Sequence, residues 1–272
     1  SVFPRFLDSL CILDEGPEKF EFTEFGTRRR LSFDYQLMVN QILKRYCKNH
    51  YKGTSNVEIS YRLNQSPIGT MAHELFMVVA GINDNLRGES GILEATHEVL
   101  TKWNEFYEGA FGIVLSDTFG IDHFLSAFEQ DDLYRKYLGT RQDSGNPYLD
   151  ANKKIKFYDS HNIDPKKKAL VFSDSLDFQK ALALYDTYDN ESVSLSGLEP
   201  KIQTSYGIGT FLTSNSIDIP NPSIVVKAVK ANGTNLVKLS DNIDKATGDP
   251  EQVKRYKRIF GYKNDFREKP TA

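Results

Sequence analysis

Cysteine is scarce: the 272-residue chain holds only Cys11 and Cys47. Two thiols without metal-ligand spacing cannot staple a fold of this size, and they fit a reducing compartment. Long apolar runs are missing too, since no stretch approaches the roughly 18 residues that a membrane helix needs. Neither charge sign dominates, because 34 Lys and Arg against 37 Asp and Glu leave a net charge of −3. That removes a global drive toward nucleic acid. Ser1-Val2-Phe3-Pro4-Arg5 lacks the basic start and apolar stretch of a secretion signal. A cytoplasmic location, with nuclear as the variant, and no membrane or nucleic-acid partner are therefore expected. His50, His97, His123 and His161 show no ligand spacing with Cys or with one another, so no protein-held metal is expected. Neither G-x-x-x-x-G-K-[ST] nor G-x-S-x-G occurs. Any use of ATP would not run through a P-loop.

What is present suffices for a packed core, with 39% apolar and 12% aromatic residues. Residues 31–46 carry apolar positions at helical spacing and end on Lys44 and Arg45, favourable charges at a helix C-terminus. Ser55 and Glu58 have the S-x-x-E spacing of a capping box, which predicts a helix from about Asn56. Pro67 to Glu74 opens a further helix to about Asn85, and another is expected from about Glu94 to Glu108. The apolar run 110–115 suits a short buried strand, followed by a helix around 124–137 and a loop over 139–145. Lys168 to Phe172 reads as a second strand, Leu176 to about Tyr185 as a helix, and a strand-like stretch ends at Gly207-Ile208-Gly209-Thr210. Asn232-Gly233 between two extended stretches signals a hairpin. Residues 187–196 read as a polar surface insertion and residues 261–272 as a mobile tail.

Short apolar strands alternating with amphipathic helices predict parallel β/α units, either a barrel or an open doubly wound sheet. In both, function sits at the C-terminal ends of the strands. Ser116-Asp117-Thr118, Ser173-Asp174-Ser175 and Gly207 to Thr210 occupy such ends, and their small, acidic or glycyl character suits a phosphorylated sugar.

Individual constellations carry further chemistry. Phe25-Gly26-Thr27-Arg28-Arg29-Arg30 places three guanidiniums after a glycine, and guanidiniums grip phosphate and carboxylate oxygens in a fork. A solvated start to a helix is the plainer reading, and at most one or two of the three arginines could face one site. His73, followed by Glu74, could serve as a general base or phosphoryl acceptor with a carboxylate orienting its ring. Asp117, Asp143 and Asp174 each sit in a small-residue loop. There they could bind ribose hydroxyls, hold Mg²⁺ through water, or stabilise a cationic sugar; alternatively each caps the next helix. Gly207-Ile208-Gly209-Thr210 could bring backbone N–H groups to a phosphate, or could be a plain turn.

Taken in chain order, these motifs resemble nicotinate phosphoribosyltransferases of the fungal and bacterial branch. The residues that carry the resemblance are Glu24 to Arg30, Gly53 to Asn56, Pro67 to Glu74, Leu115 to Gly120, Arg141 to Gly145, Phe172 to Asp177, Gly207 to Thr210, Lys238 to Asp241 and Gly248 to Pro250. The resemblance implies an α/β fold, an irregular TIM-like barrel of the type II phosphoribosyltransferase kind, with a C-terminal β-hairpin and tail. The barrel would cover residues 23–245, after a remnant of an N-terminal domain (1–22) and before a C-terminal segment (246–272).

The activity it implies joins nicotinate to phosphoribosyl pyrophosphate (PRPP), giving nicotinate mononucleotide and pyrophosphate for NAD salvage. ATP is the co-substrate, hydrolysed through a phosphohistidine at His73 with Glu74 beside it, and Mg²⁺ accompanies PRPP and ATP. Arg28 matches an arginine near pyrophosphate, and Arg141 with Asp143 matches a pair near the base and ribose. Asp117 lines that site, while Ser173, Asp174, Gly207, Gly209 and Thr210 match the sugar-phosphate cradle. The full-length enzyme would be a homodimer. Ser55 is expected to favour nicotinate over nicotinamide, because a hydroxyl donates to a carboxylate that an acidic side chain would repel. Two alternatives remain, a nicotinamide phosphoribosyltransferase and a non-catalytic fragment that binds phosphoribosyl ligands or another subunit.

Overall fold

The structure, a computed structural model, describes residues 10, 13, 17–190, 201–214, 220–241 and 246–262. The expected insertion beyond residue 190, the tail beyond 262, Cys11 and most of the segment 1–16 lie outside the described residues.

Elements are numbered in chain order. Strand β1 (Phe22–Glu24) is buried throughout. Helix α1 (Phe33–Tyr46) starts on Ser32, whose hydroxyl accepts the Tyr35 N–H, and ends on Lys44 and Arg45 as expected. After β2 (Tyr51–Thr54) comes α2 (Val57–Arg62). Its cap is Asn56, which accepts the Ile59 N–H, while Glu58 pairs with Arg62 at 2.7 Å instead of closing a capping box with Ser55. Helix α3 (His73–Arg87) turns at Gly88, φ 64°, directly into α4 (Glu89–Tyr107), which therefore begins at Glu89 rather than Glu94.

Strand β3 (Ile113–Leu115) precedes α5 (Ile121–Glu129) and α6 (Leu133–Lys136). The single helix expected over 124–137 breaks at Asp131 and Asp132, both at positive φ. The loop expected over 139–145 is corrected in its first half: Gly139–Gln142 is strand β4, hidden in the sequence because Gly-Thr-Arg-Gln has no apolar side chain. Helix α7 (Pro147–Ser160), capped by Asn146, follows. Next come β5 (Ala169–Phe172), α8 (Phe178–Tyr188), β6 (Gln203–Ile208) and the short α9 (Thr210–Thr213). Strands β7 (Lys230–Ala231) and β8 (Thr234–Asn235) form the hairpin, with Asn232 and Gly233 at φ 49° and 83°, the pair of positive values that a type I′ turn requires. Helix α10 (Pro250–Ile259) is capped by Asp249.

The fold is α/β, built from parallel strands joined through helices: β1–α1–β2, β3–α5–β4 and β5–α8–β6. The chain forms two compact units. The first, residues 1–69 and 165–225, holds four parallel strands in the order β2-β1-β6-β5. Its core is aromatic: the Tyr206 ring stacks on Phe20 at 5.0 Å and on Phe172 at 6.0 Å. The second unit, residues 70–164 and 226–272, pairs β3 with β4 among α3–α7, the hairpin and α10. Its core includes Phe76, Ala80, Ile92, Val99, Val114, Phe124 and Phe128. Among the described residues no helix is long and apolar enough to cross a membrane.

Candidate active site

The parallel pair β3–β4 in the second unit delivers a cluster of ionisable groups. Asp117 and Thr118 follow β3, Arg141 lies in β4, and Asp143 comes just after it. His73, the first residue of α3, meets them. Its Nδ1 lies 2.9 Å from Thr118 Oγ1 and its Nε2 3.0 Å from Asp143 Oδ2, with Asp117 Oδ1 at 3.8 Å. An ionised Asp143 only accepts, so Nε2 carries the proton and the neutral ring's Nδ1 accepts from the Thr118 hydroxyl. Arg141 donates to Thr70 Oγ1 at 2.6 Å and sits 3.8 Å from Asp143. Asp117 is fully buried; its Oδ2 accepts from Ser144, and Ser240 donates to Ser144 at 2.8 Å.

A second layer supports this one. The backbone N–H groups of Leu239 and Ser240 donate to the Thr118 carbonyl at 2.9 and 3.2 Å. Buried Lys154 donates to Ser116 Oγ at 2.8 Å and to Asp150 at 2.7 Å, and Ser116 in turn donates to the Arg141 carbonyl at 2.9 Å. Asp241 accepts the Ile121 N–H at 2.9 Å.

Electrostatics follow from burial and neighbours. Burial pushes the His73 imidazole below its ordinary range and Lys238 adds to this, against the pull of Asp143 and Asp117. Burial would raise Asp143, but His73, Arg141 and Lys238 together hold its carboxyl below the usual carboxylate range. Asp241 is pushed up to about 7 by burial, with Asp117 and Asp150 reinforcing. The cluster thus presents a neutral imidazole against an ionised carboxylate, the pairing a nucleophilic ring nitrogen needs.

The first unit holds the other expected residues. Thr27–Arg29 is a single 3-10 turn. Arg28 is exposed, and its guanidinium has no partner among the described residues, whereas Arg30 donates to Gln36 Oε1 at 2.9 Å and lies over the Phe33 ring. Ser55 is half-buried, its N–H on the Glu24 carbonyl at 3.0 Å and its hydroxyl without a partner among the described residues. Ser173 and Asp174 follow β5, and Asp174 accepts from the Ser175 hydroxyl at 3.1 Å. Gly207 sits in β6 opposite Thr23, where a Cβ would lie 2.4 Å from the Phe25 ring. Close packing therefore accounts for that glycine. Gly209 and Thr210 open α9, whose first N–H groups have no intrahelical acceptor.

None of the three singled-out aspartates is a helix cap. The caps are Gly120 before α5, Asn146 before α7 and Asp177 before α8. Glu74 turns away from the histidine, its carboxylate accepting the Ala228 N–H, so the carboxylate that orients the imidazole is Asp143's. Sequence reasoning names Thr118 only as part of the strand end Ser116-Asp117-Thr118 and misses Thr70, Ser144 and Ser240 as members of the site. Their hydroxyls carry no pattern of their own, although each falls in or beside a quoted motif.

Comparison with known proteins places the chain in a family. The nicotinate phosphoribosyltransferase (NAPRTase) family model matches residues 20–264. The nicotinate phosphoribosyltransferase of Vibrio campbellii is 37% identical over 235 residues, which is 84% of this chain and 50% of that protein. That of Proteus mirabilis is 38% identical over 245 residues, 89% of this chain and 55% of its own. The chain spans about half the length of the curated relatives it matches. Among solved structures, nicotinate phosphoribosyltransferase from Vibrio cholerae superposes with a TM-score of 0.82 at 34% identity, covering 95% of this chain and 60% of that one. The Porphyromonas gingivalis enzyme gives 0.81 at 28% identity, covering 95% and 65%.

Proposed function

The chain belongs to the nicotinate phosphoribosyltransferase family, and on that premise we propose that it carries the catalytic part, residues 23–245, of an ATP-linked enzyme. That enzyme makes nicotinate mononucleotide and pyrophosphate from nicotinate and PRPP, in the cytoplasm and as a homodimer. The observation that carries the reading is the buried His73 held between Thr118 and Asp143. Asp143 accepts from Nε2–H, which leaves the Nδ1 lone pair to attack the terminal phosphorus of ATP once the Thr118 hydroxyl rotates away, an N–P bond forming as the P–O bond to the departing ADP breaks. The phosphohistidine then adds negative charge at the pyrophosphate end, and its hydrolysis draws product formation forward.

For glycosyl transfer, Asp117 and Asp143 stabilise the positive charge that develops on the ribose as pyrophosphate leaves. Arg28 binds pyrophosphate oxygens, its guanidinium uncommitted within the described structure. Ser55 donates to the nicotinate carboxylate, and Arg141 orients the base. Ser173, Asp174, Gly209 and Thr210 hold the sugar phosphate, with Gly207 acting through its contact with Phe25. Glu74 serves as a backbone anchor beside His73.

Among the described residues no group of three or more His, Cys, Asp and Glu could hold a metal by itself. Asp117 Oδ1, however, is buried without a hydrogen-bond partner. That donor set fits a hydrated Mg²⁺ that arrives on substrate phosphates and takes one or two protein carboxylates. When bound, Mg²⁺ neutralises charge on the leaving pyrophosphate.

The test is mononucleotide formation from PRPP with nicotinate or nicotinamide, each with and without ATP. Product from nicotinate, raised by ATP, is expected. Preference for nicotinamide would favour the amide-using relative. Absence of product from folded chain that still binds PRPP would favour the non-catalytic fragment.

A further inference from the structure

Glu24 lies beneath the Arg28 and Ser55 loops, fully buried, yet none of its hydrogen-bond donors is a cation. Its Oε2 accepts from Gln36 Nε2 at 2.7 Å, Asn40 Nδ2 at 3.1 Å and Thr54 Oγ1 at 2.6 Å, and its Oε1 accepts the Gly26 N–H. Four donors converging on one side chain require an acceptor-only group, and a carboxylate is the side chain that offers one. We propose that Glu24 is the positioning residue that sets the Arg28 loop and the Ser55 loop against each other, and so fixes the spacing at which two anionic substrates are held. The proposal rests on the reading of those loops as substrate-binding.

Both loops reach the same carboxylate by separate tethers. On the arginine side, Gly26 donates from the backbone, and Gln36 Nε2 links Glu24 to Thr27 Oγ1 at 3.0 Å. On the serine side, Thr54 donates to Glu24 and accepts the Asn56 N–H at 3.0 Å, while the Ser55 N–H meets the Glu24 carbonyl at 3.0 Å. Gln36 joins the two, since its Oε1 accepts from Arg30 at 2.9 Å and from Asn56 Nδ2 at 3.0 Å.

The choice of donors has a consequence for charge. A buried carboxylate is usually balanced by a neighbouring cation, and three arginines lie within reach along the chain. Here amide, hydroxyl and backbone donors satisfy it, and Arg30 binds Gln36 instead. Arg28 is thereby left for an anion from outside.

Glu24→Gln tests this, because an amide turns one acceptor into a donor facing other donors. In ligand-free protein, hydrogen exchange at Gly26 and across residues 53–56 is expected to quicken about tenfold, the scale of one lost hydrogen bond. Calorimetry should show affinities for inorganic pyrophosphate and for nicotinate weakened together. The double variant Glu24→Gln/Gln36→Glu, which restores a donor–acceptor pair between the two side chains, should recover part of both. If Glu24→Gln does not fold, Thr54→Val removes only the side-chain tether on the serine side, leaving the Ser55 N–H on the Glu24 carbonyl, and should loosen residues 53–56 while leaving Gly26 protected. Unchanged exchange in both loops of Glu24→Gln, or equal loosening of both loops in Thr54→Val, overturns the positioning role. Wild-type protein that binds neither pyrophosphate nor nicotinate would instead overturn the substrate reading, and the exchange data would still judge Glu24.

Discussion

At the scale of single residues, the proposed chemistry turns on groups that the fold leaves free or holds through one rotatable partner. His73 has both ring nitrogens engaged, but only through a rotatable hydroxyl on the Nδ1 side. His73→Ala is expected to abolish ATP stimulation of mononucleotide formation while basal synthesis and the fold persist, with the melting temperature lowered by several degrees, since the loss of its two hydrogen bonds costs about 1–3 kcal/mol. ATP stimulation that survives in this variant would remove His73 from the phosphoryl-transfer role. Ser55 is the second such group. The helix after it is capped by Asn56, so the Ser55 hydroxyl is not needed for capping. Ser55→Asp should place a negative charge against the nicotinate carboxylate, raising the KM for nicotinate by about 10- to 100-fold with a much smaller effect on nicotinamide. Equal KM changes for the two bases would show that this hydroxyl does not discriminate between them.

At the scale of elements, close packing between strand and loop explains what the glycine motif alone left open. In Gly207-Ile208-Gly209-Thr210, the first glycine gives the Phe25 ring its place against β6, and Gly26 leaves room for the Thr213 side chain, which a Cβ would meet at 2.1 Å. Gly207→Ala is expected to destabilise the fold by about 1–3 kcal/mol, the usual cost of overpacking, and to displace residues 25–30; an unchanged melting temperature would mean that the ring moves aside freely. The same elements show what was legible. Helices α1 and α8 and strand β5 have apolar periodicity that matches their environment, so they could be read directly. Strands β1, β2 and β4 have three or four residues each, and β2 and β4 contain glycine and polar side chains. Their strand character comes from neighbouring strands rather than from their own pattern. Asp117 stood out because it follows a short apolar strand, Asp143 because it sits in a loop of small residues, and His73 because an imidazole is followed directly by a carboxylate. Ser144 and Ser240 meet only through a contact spanning 96 positions, and Glu24's four partners lie in three separate segments, so neither arrangement leaves a local signature.

At the scale of the whole molecule, opposed buried titrations govern stability against pH. Burial between Phe119 and Phe260 pushes His123 down to about 4, and burial lowers His73 as well. As pH falls from the ordinary imidazole value of 6.5, the unfolded chain binds protons that these folded imidazoles refuse, so stability drops until their folded values are passed. Asp241 works in the other direction. With its folded value pushed up to about 7 from 3.8, it holds a proton that the unfolded chain has released, and stability grows as pH falls through that window. Asp150, raised by burial against the pull of Lys154, adds to that gain. The opposed terms flatten the curve over mildly acidic pH. Below the ordinary carboxylate value of 3.8 the curve should steepen, because Asp143 is held ionised in the fold by His73 and Arg141 and resists protonation there. Asp241→Asn keeps an oxygen for the Ile121 N–H but removes one of the compensating titrations. Urea unfolding at a series of pH values should therefore show the variant losing stability faster than the wild type between pH 7 and pH 4, by about 1 kcal/mol per pH unit. Parallel curves would mean that Asp241 is already ionised at neutral pH in the fold.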